Sequence, residues 1–142
     1  MQATAVMNEA NVEPVTTSNG ALWTGRVMSA IPVLFLLFDG LGKLMRVAPV
    51  IEGTQQLGYP VGVIVPLGIV LLLCTMLYAI PATSVLGAIL LTGYLGGAIA
   101  THVRVENPLP THTLFPIYVA LLVWGGLWLR DPALRRLIPL RR

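Results

Sequence analysis

The sequence contains few charged residues. Asp, Glu, Lys and Arg together make up 11% of its 142 residues, against roughly 25% in ordinary soluble domains. Apolar residues make up 56%, and the mean hydropathy is +0.80. So few charged side chains cannot cover a surface that faces water. The composition therefore predicts an integral membrane protein whose solvent is the lipid bilayer.

Cysteine is nearly absent as well. The single cysteine, Cys74, lies inside an apolar run, so the chain can form no intramolecular disulfide and has no CxxC pair. This excludes a membrane dithiol oxidoreductase that works with its own cysteines. The chain also lacks a glycine-rich phosphate loop and a GxSxG motif, so nothing indicates nucleotide binding or nucleophilic catalysis.

The long stretches without charge predict where the chain crosses the membrane. No Asp, Glu, Lys or Arg occurs in residues 53–103, a run far longer than the ~20 residues that one crossing needs. The segment "IPATS" (residues 80–84) divides this run in two. Shorter charge-free runs cover residues 27–38 and 107–129. We predict an all-α bundle of four transmembrane helices, with spans at about 22–41, 61–80, 83–101 and 113–129.

The segment between the first two spans is too polar to cross a membrane. Between residues 43 and 60, apolar side chains recur at helical spacing, and Glu52, Gln55 and Gln56 lie on the opposite face. This pattern predicts a short amphipathic helix that either lies on the membrane surface or folds over the mouth of the bundle. The predicted organisation is a flexible N-terminal tail (1–20), a four-helix transmembrane domain (21–132) and a basic cytoplasmic tail (133–142).

The positive charges predict the orientation. The net charge is +3, and five of the nine basic residues follow the last span. We interpret this cluster as a positive-inside signal in contact with anionic lipid headgroups, and not as a nucleic-acid surface. With four spans, both termini are then cytoplasmic, and we expect the protein in the bacterial cytoplasmic membrane.

This topology brings most of the remaining polar side chains to one end of the bundle, the outer end, which we call the polar end. Four parts of the chain meet there: the ends of the first and third spans, the amphipathic segment and the start of the fourth span. The candidate ligand-binding residues are Asp39, Lys43, Gln55, Gln56, Tyr94, His102, Arg104 and His112.

Each part of this set has two interpretations. Asp39 and Lys43 are spaced i,i+4, which favours an ion pair at the headgroup level. Alternatively, an inward-facing Asp39 would hold a ligand, a proton or the Arg104 guanidinium. His102 and His112 either bind and release protons at the aqueous edge of the membrane, or they are interfacial side chains whose hydrogen bonds are satisfied and which take part in no chemistry. Their spacing matches no metal motif, and further ligands are not evident, so we predict no metal site.

Small residues in the third span also have two interpretations. Gly93 and Gly97, like Gly96 and Ala100, are four residues apart, which is typical of closely packed membrane helices. Alternatively, the missing side chains leave room for a flat ligand beside Tyr94 and His102.

Four segments carry a family resemblance. "FDGLGKL" (38–44), "QLGYP" (56–60), "LYAIPATSVLGAILLTGYLGGAIATHVR" (77–104) and "LFPIYVALLVWGGLWLRDP" (114–132) resemble the DoxX-like family of small bacterial four-helix membrane proteins. The family name refers to a subunit of an archaeal thiosulfate:quinone oxidoreductase. The resemblance therefore implies a link to membrane redox chemistry or quinones, and it carries over no catalytic residues.

These observations leave two main functional hypotheses. In the first, the polar end binds a quinone- or lipid-like molecule, and the chain is the membrane subunit of a redox system, accessory to an oxidoreductase partner in or outside the membrane. No cofactor site is evident, so a partner or a bound cofactor would supply the electrons. In the second, the chain is a non-catalytic scaffold that docks a partner. A small transporter or channel is disfavoured, because no polar path crosses the cytoplasmic half of the bundle. A homo-oligomer could supply such a path, so this alternative is kept.

Overall fold

A computed structural model of the chain describes residues 17–137. It consists of six α-helices: α1 (Asn19–Leu44), α2 (Ala48–Gln56), α3 (Ile64–Ala79), α4 (Ser84–Arg104), α5 (Phe115–Arg130) and α6 (Pro132–Leu137). With the short helical turns that precede them, α1, α3, α4 and α5 form four segments long and apolar enough to cross a membrane. The predicted fold class is confirmed: an all-α bundle of four spans with a short helix between the first two.

The observed spans lie close to the predicted ones but are longer at several ends. They cover Asn19–Leu44, Val61–Ala79, Pro81–Arg104 and Leu109–Arg130. Residues 1–16 of the predicted N-terminal tail and residues 138–142 of the predicted C-terminal tail lie outside the described residues. The rest of the predicted C-terminal tail, residues 133–137, belongs to α6, which packs on α5.

Local sequence signals explain where several helices begin and end. Ser18 precedes α1, and its hydroxyl accepts a hydrogen bond from the backbone N–H of Ala21 at 3.3 Å, the usual role of an N-cap serine. Pro49 lies in the first turn of α2, where a missing N–H costs nothing. Gly58 follows α2 with a φ of 80°, a conformation that glycine adopts without strain.

The four spans form a ring in which each helix packs on two neighbours. The α1 helix packs on α3 and α5, and α4 packs on the same two helices from the other side. The core that this ring encloses consists mainly of aliphatic side chains and one tyrosine, all buried: Leu36, Leu71, Tyr78, Ala88, Leu91, Leu95, Val119, Val123 and Leu127.

Glycines set the closest helix approaches, but they are not the glycines that the spacing indicated. A Cβ built on Gly25 would lie 2.9 Å from the carbonyl oxygen of Gly126, where α1 crosses α5. A Cβ on Gly93, Gly96 or Gly97 would meet nothing within 4 Å. The prediction that these α4 glycines pack helices together is therefore wrong within the part of the chain that the structure describes.

A buried tyrosine joins three helices in the half of the bundle away from the polar end. The Tyr78 side chain of α3 is fully buried. Its hydroxyl lies 2.9 Å from the Ser29 hydroxyl of α1 and 2.8 Å from the Val123 carbonyl of α5. Buried polar atoms need such partners, because lipid offers none.

Replacing this tyrosine by phenylalanine should destabilise the bundle. Tyr78→Phe removes the hydroxyl and leaves the Val123 carbonyl without this donor, so we expect a loss of about 1–2 kcal/mol in the free energy of unfolding. Denaturant unfolding in detergent micelles measures it. The matched control is Tyr118→Phe, since Tyr118 is exposed on α5 and should change the value by less than about 0.5 kcal/mol. Equal effects would contradict this role of the Tyr78 hydroxyl.

Candidate functional site: a cavity at the polar end

A cavity of about 650 Å³ lies at the polar end, where α1 and α4 end and α5 begins. This volume is within the range of small-molecule sites, roughly 300–1,000 Å³. Its walls come from α1, α2, α4 and α5, with one residue from α3. The apolar lining includes Phe35, Leu36, Leu95, Phe115 and Val119.

Six of the eight predicted site residues line this cavity: Asp39, Lys43, Gln56, Tyr94, His102 and His112. They come from four parts of the chain. The helix ring and the α2 segment bring them together, as the topology predicted. The two others, Gln55 and Arg104, are exposed and are not among the lining residues.

Arg104 has a positioning contact instead. Its guanidinium donates a hydrogen bond to the backbone carbonyl of Leu57 at 2.7 Å and lies 6.0 Å from the centre of the Tyr59 ring. The Tyr59 hydroxyl in turn lies 2.9 Å from the Thr101 hydroxyl. These contacts fasten the segment after α2 to the end of α4, so Arg104 holds the cavity wall from outside.

The Asp39–Lys43 pair forms an ion pair in the wall of the cavity. Lys43 Nζ lies 2.5 Å from Asp39 Oδ2, so the ion pair is formed. Both side chains also line the cavity, and the Lys43 side chain is only 12% exposed. It is the one salt bridge among the side chains of residues 17–135. The wall at this point is therefore neutral overall but carries an ammonium donor and a carboxylate acceptor.

The two histidines lie close together although ten residues separate them. A π-helical turn, Leu109–Thr113, returns the chain so that the rings of His102 and His112 are 5.9 Å apart. The Asn107 amide donates to His102 Nδ1 at 2.8 Å, which places the imidazole proton on Nε2. His102 therefore has a ring N–H that makes no hydrogen bond with any described residue.

The donor set suits hydrogen bonding better than metal binding. Within residues 17–137, no group of three or more His, Cys, Asp and Glu side chains is arranged to hold a metal ion. The Tyr94 side chain also lines the cavity, and its hydroxyl makes no hydrogen bond with the described residues. Two donors, the His102 Nε2–H and the Tyr94 O–H, are thus available for a bound molecule that carries oxygen acceptors.

The family model described as the DoxX-like family matches residues 27–126. The chain belongs to the DoxX-like family. No curated protein and no solved structure matches it. The matched segment includes every residue that lines the cavity, and the four spans with the family membership make this DoxX-like chain a multi-pass membrane protein.

The α2 helix of this DoxX-like protein forms a wall of the cavity. The amphipathic segment was predicted to lie either on the membrane surface or over the mouth of the bundle. In the structure it lies over the mouth of the bundle. Val50, Thr54 and Leu57 share one face of this segment and line the cavity, while Glu52 and Gln55 are exposed. Gln56, predicted on the opposite face, lines the cavity as well. The apolar face therefore covers a space between helices. The recurrence of apolar residues every three to four positions predicted this apolar face. Spacing alone does not indicate which apolar surface the face contacts.

The α4 glycines of the DoxX-like chain shape the same space. Gly93 and Gly97 line the cavity, and a Cβ on either would meet nothing within 4 Å. They stand on either side of Tyr94 along the helix. The alternative interpretation, that these glycines leave room beside Tyr94 and His102, agrees with this geometry.

Sequence reasoning missed three kinds of cavity residue. Asn107 orients His102, Thr101 bonds Tyr59, and the edge-to-face pair of Phe35 and Phe115 has ring centres 5.2 Å apart. Asn107 follows α4 closely, and a short amide side chain at such a position is a signal for a group that caps or braces a loop. The aromatic pair gives no signal in sequence, because 80 residues separate its members.

Proposed function

We propose that this DoxX-like membrane protein binds a quinone- or lipid-like small molecule in the cavity at the polar end, and that it serves as a membrane subunit of a redox system. The observation that carries the proposal is the amphipathic lining. The lining combines aromatic and aliphatic side chains with the Asp39–Lys43 pair, Tyr94 and His102. Such a space fits a molecule with an apolar body and a polar head.

The donor chemistry favours a quinone among such molecules. The His102 Nε2–H and the Tyr94 O–H can donate to carbonyl oxygens of a quinone, and the glycine-lined wall leaves room for a flat ring. On reduction the oxygens gain protons, and the Asp39 carboxylate is placed to relay them. Lys43 would stabilise negative charge on the head. A partner oxidoreductase or a bound cofactor would supply the electrons.

Binding of a short-tailed ubiquinone tests the site. We expect Tyr94→Phe and His102→Ala each to raise the Kd about tenfold, because each removes a hydrogen bond to an oxygen of the ligand. Equilibrium binding of the radiolabelled quinone to the purified protein in detergent measures the change. Tyr118→Phe is the matched control, since Tyr118 is an exposed tyrosine outside the cavity.

The outcomes separate the two hypotheses. If both variants keep the wild-type Kd, the quinone does not bind here. If a long-chain fatty acid displaces the quinone with equal affinity, the ligand is lipid-like and not specifically a quinone. If neither probe binds and a second protein co-purifies in mild detergent, the chain is a partner-docking scaffold.

The orientation is a separate part of the proposal. Arginines at the opposite end support a cytoplasmic position for both termini, and the cavity would then open toward the outer face of the cytoplasmic membrane. We expect Glu106→Cys, at an exposed position of the polar end, to react with a membrane-impermeant maleimide on intact cells. Ala82→Cys, exposed in the α3–α4 connection, should react only after lysis. The reverse pattern would place the cavity on the cytoplasmic side.

A further inference from the structure

The end of the bundle opposite the cavity carries a second recess, which the proposed function does not use. We call it the arginine end, because Arg26 of α1 and Arg130 of α5 both line it. The recess has a volume of about 210 Å³. Its lining also includes Ser29, Val33, Tyr78 and Ala79. None of the described residues that line it is acidic. Two cationic side chains on facing helices therefore share one concave site.

Neither arginine is neutralised by the part of the chain that the structure describes. Among residues 17–135, whose side chains the structure describes, the one salt bridge is the Asp39–Lys43 pair at the polar end. Asp131 follows Arg130 directly, but its carboxylate accepts hydrogen bonds from the backbone N–H groups of Ala133 and Leu134, at 2.9 and 3.4 Å. One oxygen of the nearest acid in sequence, Asp131 Oδ1, thus caps the start of α6.

Arg130 is held in place yet incompletely satisfied. Its guanidinium lies 5.2 Å from the centre of the Tyr78 ring and reaches the Tyr78 carbonyl at 3.4 Å. Its Nε is buried and has no hydrogen-bond partner among the described residues. A buried charged donor without an acceptor is costly, so an acceptor from outside the chain would stabilise this arrangement.

A neighbouring arginine shows the contrast. Arg135 donates to the backbone carbonyls of Trp128 and Leu129 and lies 5.1 Å from the centre of the Trp128 ring. Its donors satisfy the carbonyls at the end of α5, which a helix leaves open. Arg135 therefore has a structural role, whereas Arg26 and Arg130 both border the shared recess.

We propose that Arg26 and Arg130 form a binding site for a phosphate group, with the phosphate of an anionic lipid headgroup as its source. Guanidinium groups bind phosphate oxygens with paired N–H donors. Arg26 lies near the start of one membrane-spanning helix and Arg130 is the last residue of another, so the recess lies near the depth of lipid headgroups. The site is independent of the cavity at the polar end.

Lipid titration followed by native mass spectrometry of the full chain in detergent tests this site. Phosphatidylglycerol should bind in preference to phosphatidylcholine. We expect Arg26→Gln and Arg130→Gln each to weaken phosphatidylglycerol binding about fivefold, and the double variant to lose the preference. The matched control is Arg46→Gln, because Arg46 is an exposed arginine outside the recess, close to the polar end.

The competing outcomes decide the proposal. If the double variant keeps its preference for phosphatidylglycerol, or if Arg46→Gln weakens binding equally, the site is overturned. If inorganic phosphate at millimolar concentration displaces the lipid from the wild type, the site also takes free phosphate; if it does not, the lipid headgroup is the source. Arg26 is exposed, so its variant keeps the test decisive even if Arg130→Gln fails to fold.

Discussion

Gly97→Leu is expected to abolish binding of a quinone-like molecule in the cavity while leaving the bundle folded. Gly97 lines the cavity, and a Cβ at this position would meet nothing within 4 Å. A leucine side chain therefore has space to extend without displacing a helix, and that space is the one the ligand needs. We expect the Kd for the short-tailed ubiquinone to rise well beyond about tenfold, which corresponds to a loss of more than about 1.4 kcal/mol.

The adjacent residue provides the matched control. Gly96 lies on the same helix and is equally free of neighbours, but it does not line the cavity. Gly96→Leu should keep the wild-type Kd, and both variants should gain slightly in helix stability, because glycine is about 1 kcal/mol less favourable in a helix than alanine or leucine. Equal binding by wild type, Gly96→Leu and Gly97→Leu would mean that the ligand binds elsewhere.

Gly87→Ala is expected to cost more stability than any other single methyl group added to the glycines of α4. A Cβ at Gly87 would lie 2.2 Å from the backbone nitrogen of Tyr78 and 2.4 Å from its Cα. Backbone atoms of a helix cannot move aside as a flexible side chain can, so α3 and α4 must separate along their hairpin. Overpacking of this kind costs about 1–3 kcal/mol or more, and we expect the upper part of that range.

Unfolding free energies in detergent measure this effect. Gly93→Ala is the control, since its Cβ meets nothing within 4 Å and the substitution should be neutral or stabilising by up to about 1 kcal/mol. If Gly87→Ala and Gly93→Ala were equally tolerated, the close approach of α3 and α4 at Gly87 would be contradicted.

The candidate site is partly predictable from sequence because a membrane restricts topology strongly. Four apolar spans joined by short links must alternate in direction, so the ends of the first and third spans meet the start of the fourth. Topology alone therefore places Asp39, His102 and His112 at the same end of the bundle. Gln55 and Arg104 show where this reasoning stops. It locates residues along the membrane normal but does not say which way a side chain points around a helix.

The glycines also show that sequence alone does not indicate which way a residue faces around a helix. Gly25, Gly87 and Gly97 all look alike in sequence, as small residues in apolar helices. In the structure, the first two lie where backbones approach closely, and the third borders a cavity. Spacing of small residues cannot separate these cases, because the difference depends on which neighbour faces each helix.

Hydropathy and charge alone determined that this is a four-span helical membrane protein with a polar end. Bilayer thickness and the cost of exposed backbone groups in lipid leave few alternatives for such a sequence. Only the tertiary structure decided that α2 forms a wall of a cavity, that the Asp39–Lys43 pair lines it, and that Arg26 and Arg130 line one recess at the other end. These features depend on helix rotation and on contacts between distant residues, which packing sets and local sequence does not encode.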